Sequence, residues 1–183
     1  MTMPQGRRAE PHRNGLSRRH LLKGALASGA VTLASQDRTE ASTSLAPKPI
    51  DAHSHIWSRD VKTFPLTQGS TLADLDPGSF TTAQLQAVMK QHGVGRAVLI
   101  QHHIYHGYDN SYLVHAARSH PEVFRVVAMV NDLKPAPAQA MRRLLKSGAT
   151  GFRITSWIRK QDWLKGPGME AMWKCGAETG QAI

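Results

Sequence analysis

Pro49-Ile50-Asp51-Ala52-His53-Ser54-His55-Ile56-Trp57 is a short apolar strand that runs into an Asp-x-His-x-His cluster. Side chains alternate faces along a strand, so His53 and His55 are expected to point the same way, with Asp51 behind them on that face. Two imidazoles leaving one face at a strand's end can share one divalent cation, its other positions going to ligands from elsewhere. Asp51 then either orients the pair as a hydrogen-bond acceptor or holds the local backbone in place. The alternative is two unconnected surface histidines, and apolar-Asp-x-His-x-His is a demanding pattern for chance to supply.

Beyond this strand, Ile50–His53, a long Pro- and Gly-rich connection runs to Phe80, and then helix-like and strand-like runs alternate. Thr81 or Thr82 caps a helix carrying Leu85, Val88 and Met89, which Gly93 ends. Arg96-Ala97-Val98-Leu99-Ile100-Gln101 is a near-continuous apolar run, expected of a parallel strand covered on both faces. Asp109 or Asn110 opens a helix through Leu113, Val114 and Ala117 that ends before Pro121. A third strand spans 124–130, and a proline-led helix (137–147) stops at Gly148. A fourth strand covers 150–154, a last helix runs from Met169 to Thr179, and Gln181-Ala182-Ile183 opens a fifth strand.

Helix, glycine, apolar strand recurs at Gly93, Gly148 and Gly180, which gives βα units of about thirty residues and a parallel sheet with right-handed crossovers. A doubly wound nucleotide-binding sheet would put a Gly-rich phosphate turn after its first strand. His-Ser-His stands there instead. The expected fold class is therefore α/β, a partial (β/α)8 TIM barrel of about four βα units preceded by a disordered export signal. A full barrel takes about 250 residues, and the whole chain has 183. The reading is a fragment or truncated frame, with two unpaired sheet edges and an uncovered apolar interior that invite aggregation, oligomerisation or pairing with a second half.

The net charge of +10 first suggests nucleic acid, yet it is unevenly placed. Residues 1–41 hold seven Lys/Arg against Glu10, Asp37 and Glu40, which puts +4 in that segment and +6 in the remainder. Of the other basic residues, the Arg142-Arg143-Lys146 face and Arg159-Lys160 form runs, and neither is interleaved with aromatics, so a solvated helix face is expected and no nucleic-acid partner. The single cysteine, Cys175, excludes an internal disulfide framework and is expected to be buried. No apolar run approaches the ~18 residues that span a bilayer.

Residues 1–41 read as an address and linker, with 42–183 as the folded domain. Ser17-Arg18-Arg19-His20-Leu21-Leu22-Lys23 precedes the small-apolar run from Gly24 to Ala34, a basic region and short hydrophobic core of the removable kind. The string resembles the bacterial twin-arginine signal, with Leu21 in place of the usual Phe. That resemblance implies a periplasmic location, the twin-arginine translocation machinery as partner, and export of an already folded chain.

Ile50-Asp51-Ala52-His53-Ser54-His55 with Trp57, then Gly93-Val94, Gln101 and the loop Tyr105-His106-Gly107-Tyr108-Asp109-Asn110, resembles the amidohydrolase-related family of metal-dependent TIM-barrel hydrolases. The similarity is greatest to its lactonase-like branch, and it covers residues 49–183, about the first half of the family's barrel. The resemblance implies that His53 and His55 are the metal-binding pair of strand one, holding zinc or manganese, although some lactonase members work without a tightly held metal. It also implies that the later histidine ligands and the aspartate general base belong to strands beyond residue 183, leaving the catalytic base unassigned. The implied activity is opening the cyclic ester of a small polar acid, with this chain inactive unaided. A metal-dependent decarboxylase of the same fold and a non-functional remnant are the alternatives.

Further candidates follow from position. His103 shares a strand direction with Gln101, and His102 takes the other; His103 is the candidate substrate contact. Tyr105, His106 and Tyr108 lie in the following loop, and Tyr105 is the second candidate. Arg153 points opposite to Phe152 and Ile154, where its guanidinium either binds a substrate carboxylate bidentately or pairs with a helix residue outside the barrel. His92, His115 and His120 are expected to be solvated or capping, and Trp57 to wall the site or pack beneath it. Trp157, Trp163 and Trp173 are expected to be packing residues.

Overall fold

The structure, a computed structural model, describes residues 47–156 and 162–183. The expected export signal, Trp157 and the Arg159-Lys160 run lie outside the described residues. Four parallel strands, β1 (Ile50–Ser54), β2 (Arg96–Ile100), β3 (Phe124–Ala128) and β4 (Ala149–Phe152), form one sheet in the order β1-β2-β3-β4. Ala182 adds a parallel bridge to Gly151, and its carbonyl accepts the Phe152 N–H at 2.8 Å, so the sheet continues past β4 in the same sense. A doubly wound sheet reverses its strand order at a switch point. Here spatial order follows chain order throughout, as in a barrel wall.

The helices are α1 (Thr82–Gln91), α2 (His103–His106), α3 (Ser111–Ser119), α4 (Pro137–Lys146) and α5 (Pro167–Thr179). Thr81 begins α1 with a reciprocal capping box: its N–H donates to Gln84 Oε1 at 2.7 Å, and its hydroxyl accepts the Gln84 N–H. Gly93, Gly148 and Gly180 sit at φ of 68, 105 and 71°, the left-handed conformation that lets the chain leave a helix and enter a strand at little steric cost. The helices cover one face of the sheet. Ala97, Leu99, Phe124, Val126, Ala128, Ala149 and Phe152 pack there with Leu85, Met89, Leu113, Met141, Met172 and Cys175 into a continuous core.

The other face is less covered than the apolar run of β2 suggests. Val98 and Val127 are half-buried there, and Ala52, Arg96, Arg125 and Thr150 are exposed. Strands β2, β3 and β4 also stop short of their expected ends at Gln101, Val130 and Ile154. At the C-terminal rim each chain leaves the ladder early and turns into the loops that carry the polar residues. Arg142 on α4 pairs with Glu178 on α5, so the basic face of α4 lies in solvent with one of its charges matched. Trp173, expected as packing, is 41% exposed on α5.

The connection 58–80 is strapped down. Trp57 and Phe80 form an antiparallel bridge, Trp57 Nε1 donates to Pro77 O at 2.8 Å, and Thr67 N donates to Tyr105 O at 2.7 Å. A capped 3-10 turn at Leu72–Asp74 lies within it. Neither this turn nor the single-turn α2 has a sequence periodicity long enough to announce it.

A histidine-rich candidate site at the strand ends

The ends of β1, β2 and β4 bring His53, His55, His102, His103 and Arg153 to one rim. His53 Nε2 and His55 Nε2 stand 3.3 Å apart with their rings edge to face. His55 Nδ1 lies 2.8 Å from Ile100 O, and only an N–H can bond to a carbonyl, so Nδ1 carries the proton and Nε2 is left with its lone pair toward His53. Two donors each about 2.0–2.1 Å from a tetrahedral zinc stand about 3.3–3.4 Å from one another. The pair fits two adjacent corners of such an ion. Among the described residues no third His, Cys, Asp or Glu completes a ligating group.

Asp51 does not stand behind the imidazoles as an acceptor. Its Oδ1 accepts the His53 backbone N–H at 2.9 Å and its Oδ2 accepts the Ser54 hydroxyl at 2.6 Å. The Ser54 bond, followed by the His53 amide, holds its carboxyl below the usual carboxylate range. The pairing of β1 with β2 slips at this point, from Asp51 opposite Ala97 to Ser54 opposite Leu99. Strict alternation therefore fails between Asp51 and Ser54, the stretch that carries His53.

His102 and His103 also escape simple alternation, because β2 ends at Ile100 and His103 already begins α2. His102 turns back toward β1. Its ring lies 4.6 Å from that of His55, stacks at 5.5 Å on Trp57 and meets Tyr105 edge to face at 4.7 Å. Burial, followed by the neighbouring charges of His55, His103 and Arg153, pushes its pKa down to about 4. Burial likewise lowers the pKa of His55 and, with Arg153, that of His103. All three imidazoles are neutral at neutral pH, the form that can ligate a cation or exchange a single hydrogen bond.

Arg153 turns toward these rings rather than outward: its Nη1 donates to Gln101 O at 3.3 Å and its charge is felt at His55, His102 and His103. It lines a small, partly open cleft together with Tyr108, Met129 and Met172. Tyr105 is buried, and its hydroxyl is occupied by the Asp76 backbone, accepting from N at 3.1 Å and donating to O at 3.0 Å. Its ring rather than its hydroxyl faces the cluster, behind His102. His106 is buried too and bonds Pro65 O through Nδ1 at 3.0 Å, anchoring the 58–80 connection.

Outside the cluster, Asp109 precedes the α3 N-cap Asn110 and accepts the Ser111 N–H, His115 lies against Phe64, and His120 ends α3 against Phe124. Cys175 is buried and free.

Two supporting residues were not read as such from the sequence. Gln101, fully buried, donates Nε2–H to Gly107 O at 3.1 Å and to Asp109 O at 2.7 Å, closing the loop that presents His102 and His103. Asn110 binds Met129 through both N–H and C=O and fastens the same loop to the end of β3. An amide side chain placed directly after five apolar strand residues was the available signal for Gln101.

Comparison with known proteins agrees with this architecture. No curated protein matches the chain. Among solved structures, a protein from Acinetobacter baumannii assigned as a 2-pyrone-4,6-dicarboxylic acid hydrolase, solved with citric acid bound, superposes with a TM-score of 0.59 at 17% identity, over 74% of this chain and 48% of that one. A Pseudomonas putida protein with the same assignment gives 0.59 at 22% identity over 75% and 47%. A zinc-bound amidohydrolase from Burkholderia multivorans gives 0.51 at 16% over 72% and 46%. These likenesses establish the fold, a partial TIM barrel, and the chain spans about half the length of each structure. The family model for amidohydrolases matches residues 50–180, and the chain belongs to the amidohydrolase family.

Proposed function

We propose that this chain contributes the first-strand metal ligands and part of the substrate wall of an exported, lactonase-like hydrolase that opens the cyclic ester of a small polar acid. The observation that carries the reading is the His53–His55 pair, with two Nε2 atoms at the spacing of adjacent zinc ligands and one ring fixed in the ligating tautomer by Ile100 O. A bound zinc or manganese would polarise the ester carbonyl and lower the pKa of a water toward ~7. Arg153 supplies a guanidinium for a substrate carboxylate, His103 offers a neutral imidazole, and Tyr105 backs the ring of His102. Membership of the amidohydrolase family and the fold of the 2-pyrone-4,6-dicarboxylic acid hydrolase structures support this choice over other barrel chemistries.

The described residues include no third ligand beside the pair, so the chain by itself is expected to hydrolyse no lactone. Zinc titration of the purified chain tests the reading. Wild type is expected to bind one zinc, and His55→Ala to weaken binding by about 100-fold or more. Equal affinity in the two proteins would overturn it. In a lactone panel, turnover by the chain alone removes the expected dependence on further ligands. Release of carbon dioxide from an unsaturated acid would favour a decarboxylase.

A further inference from the structure

We propose that Asp51 is a positioning residue that creates the convergence of His53 and His55 by clamping a bulge in β1; this rests on the reading of that pair as a cation site. Two residues along a regular strand advance about 6.7 Å, and parallel side chains two positions apart stay separated by about that much. The two Nε2 atoms are nonetheless 3.3 Å apart. Side-chain rotation and the direction of each Cα–Cβ bond together set that distance, and a β-bulge changes the second by inserting an extra residue and re-aiming its neighbours. From Asp51 to Ser54, β1 advances three residues while β2 advances two, from Ala97 to Leu99.

His53 lies inside this register shift. Its amide donates to Asp51 Oδ1 at 2.9 Å. The second carboxylate oxygen takes the hydroxyl of Ser54, which is buried and so fixed in direction, at 2.6 Å. The two oxygens are thus taken by His53, inside the shift, and by Ser54, where pairing with β2 resumes. Asp51 acts through the backbone. His55 receives its own restraint from Ile100 O, so the clamp is needed at His53, whose side chain is exposed and stands edge to face with the His55 ring.

The test uses the full-length chain and Co(II), whose d–d spectrum reports ligand number and geometry, read beside far-UV circular dichroism and amide hydrogen exchange. In wild type the His53 amide is expected to be protected and one Co(II) bound. Asp51→Ala is expected to lose that protection, lower Co(II) affinity by about 10- to 100-fold and change the spectrum while the circular dichroism holds. Asp51→Asn keeps an oxygen for the His53 amide and is expected to restore most of the affinity and the wild-type spectrum. Ser54→Ala, which spares the amide bond, is expected to lose less than Asp51→Ala. Unchanged affinity and spectrum in Asp51→Ala, or an Asp51→Asn protein as weak as Asp51→Ala, would overturn the inference while leaving the metal reading intact. A wild-type chain that takes up no Co(II) removes both, and an unprotected His53 amide in wild type removes the clamp alone.

Discussion

His102 is packed among three rings, and the site is too dry there to welcome a second charge. In the unfolded chain an imidazole binds its proton near pH 6.5, whereas in the fold His102 resists protonation down to about 4. The unfolded state therefore binds more protons between those values, and folding stability is complete above about pH 6.5 and drains away as the pH falls toward about 4. His55 and His103, also shifted downward, add to the loss with the same sign. Denaturant unfolding of wild type is expected to give a lower midpoint at about pH 4.5 than at about pH 7. His102→Phe keeps a ring against Trp57 and cannot take a proton, so its midpoints are expected to lie closer together; an equal drop in both proteins would show that His102 contributes little. Nearest-neighbour sequence rules made the histidine pair legible at this scale. Of the two roles open to Asp51, holding the local backbone is the one found; alternation failed for its direction and for His102, because a register shift and an early strand end are set by hydrogen bonds that alternation does not encode.

Among elements, the close approach of α5 to the loop after β3 is the most exacting contact. A Cβ added to Gly168 in the first turn of α5 would lie 1.8 Å from Asp132 O, a backbone atom that cannot swing away. Gly168→Ala should favour the helix by intrinsic propensity, by about 1 kcal/mol. The clash is expected to outweigh this, giving a net loss of at least about 1 kcal/mol in equilibrium unfolding. A stabilised variant would mean that α5 can slide off the loop freely. The elements most readable in advance were those with punctuation at both ends: Thr81 and Gly93 around α1, Pro137 and Gly148 around α4. By contrast, α2 is four residues long and the strapped connection before it is held by long-range bonds such as His106 to Pro65 O, so neither leaves a local trace.

For the molecule entire, the order of strands β1-β2-β3-β4 was legible from the repeated unit, and the presence of His-Ser-His rather than a glycine-rich turn separated a barrel wall from a doubly wound sheet. The uneven cover of the two sheet faces followed from the half-barrel reading, which leaves the interior bare, whereas the apolar run of β2 taken alone read as covered on both sides. The proposed route of export belongs to this scale as well. Arg18→Lys combined with Arg19→Lys is expected to leave the protein in the cytoplasmic fraction, and undiminished periplasmic accumulation of the double variant would exclude the twin-arginine assignment. A translocation route that takes only folded cargo sets a race between folding and engagement of the signal. Each of β2, β3 and β4 pairs with the strand that preceded it in the chain, so each pairing closes only the connection between consecutive strands, never a longer span. Such wiring lets the sheet grow progressively from its first strand while synthesis continues, and it favours rapid acquisition of structure over a long search for distant partners.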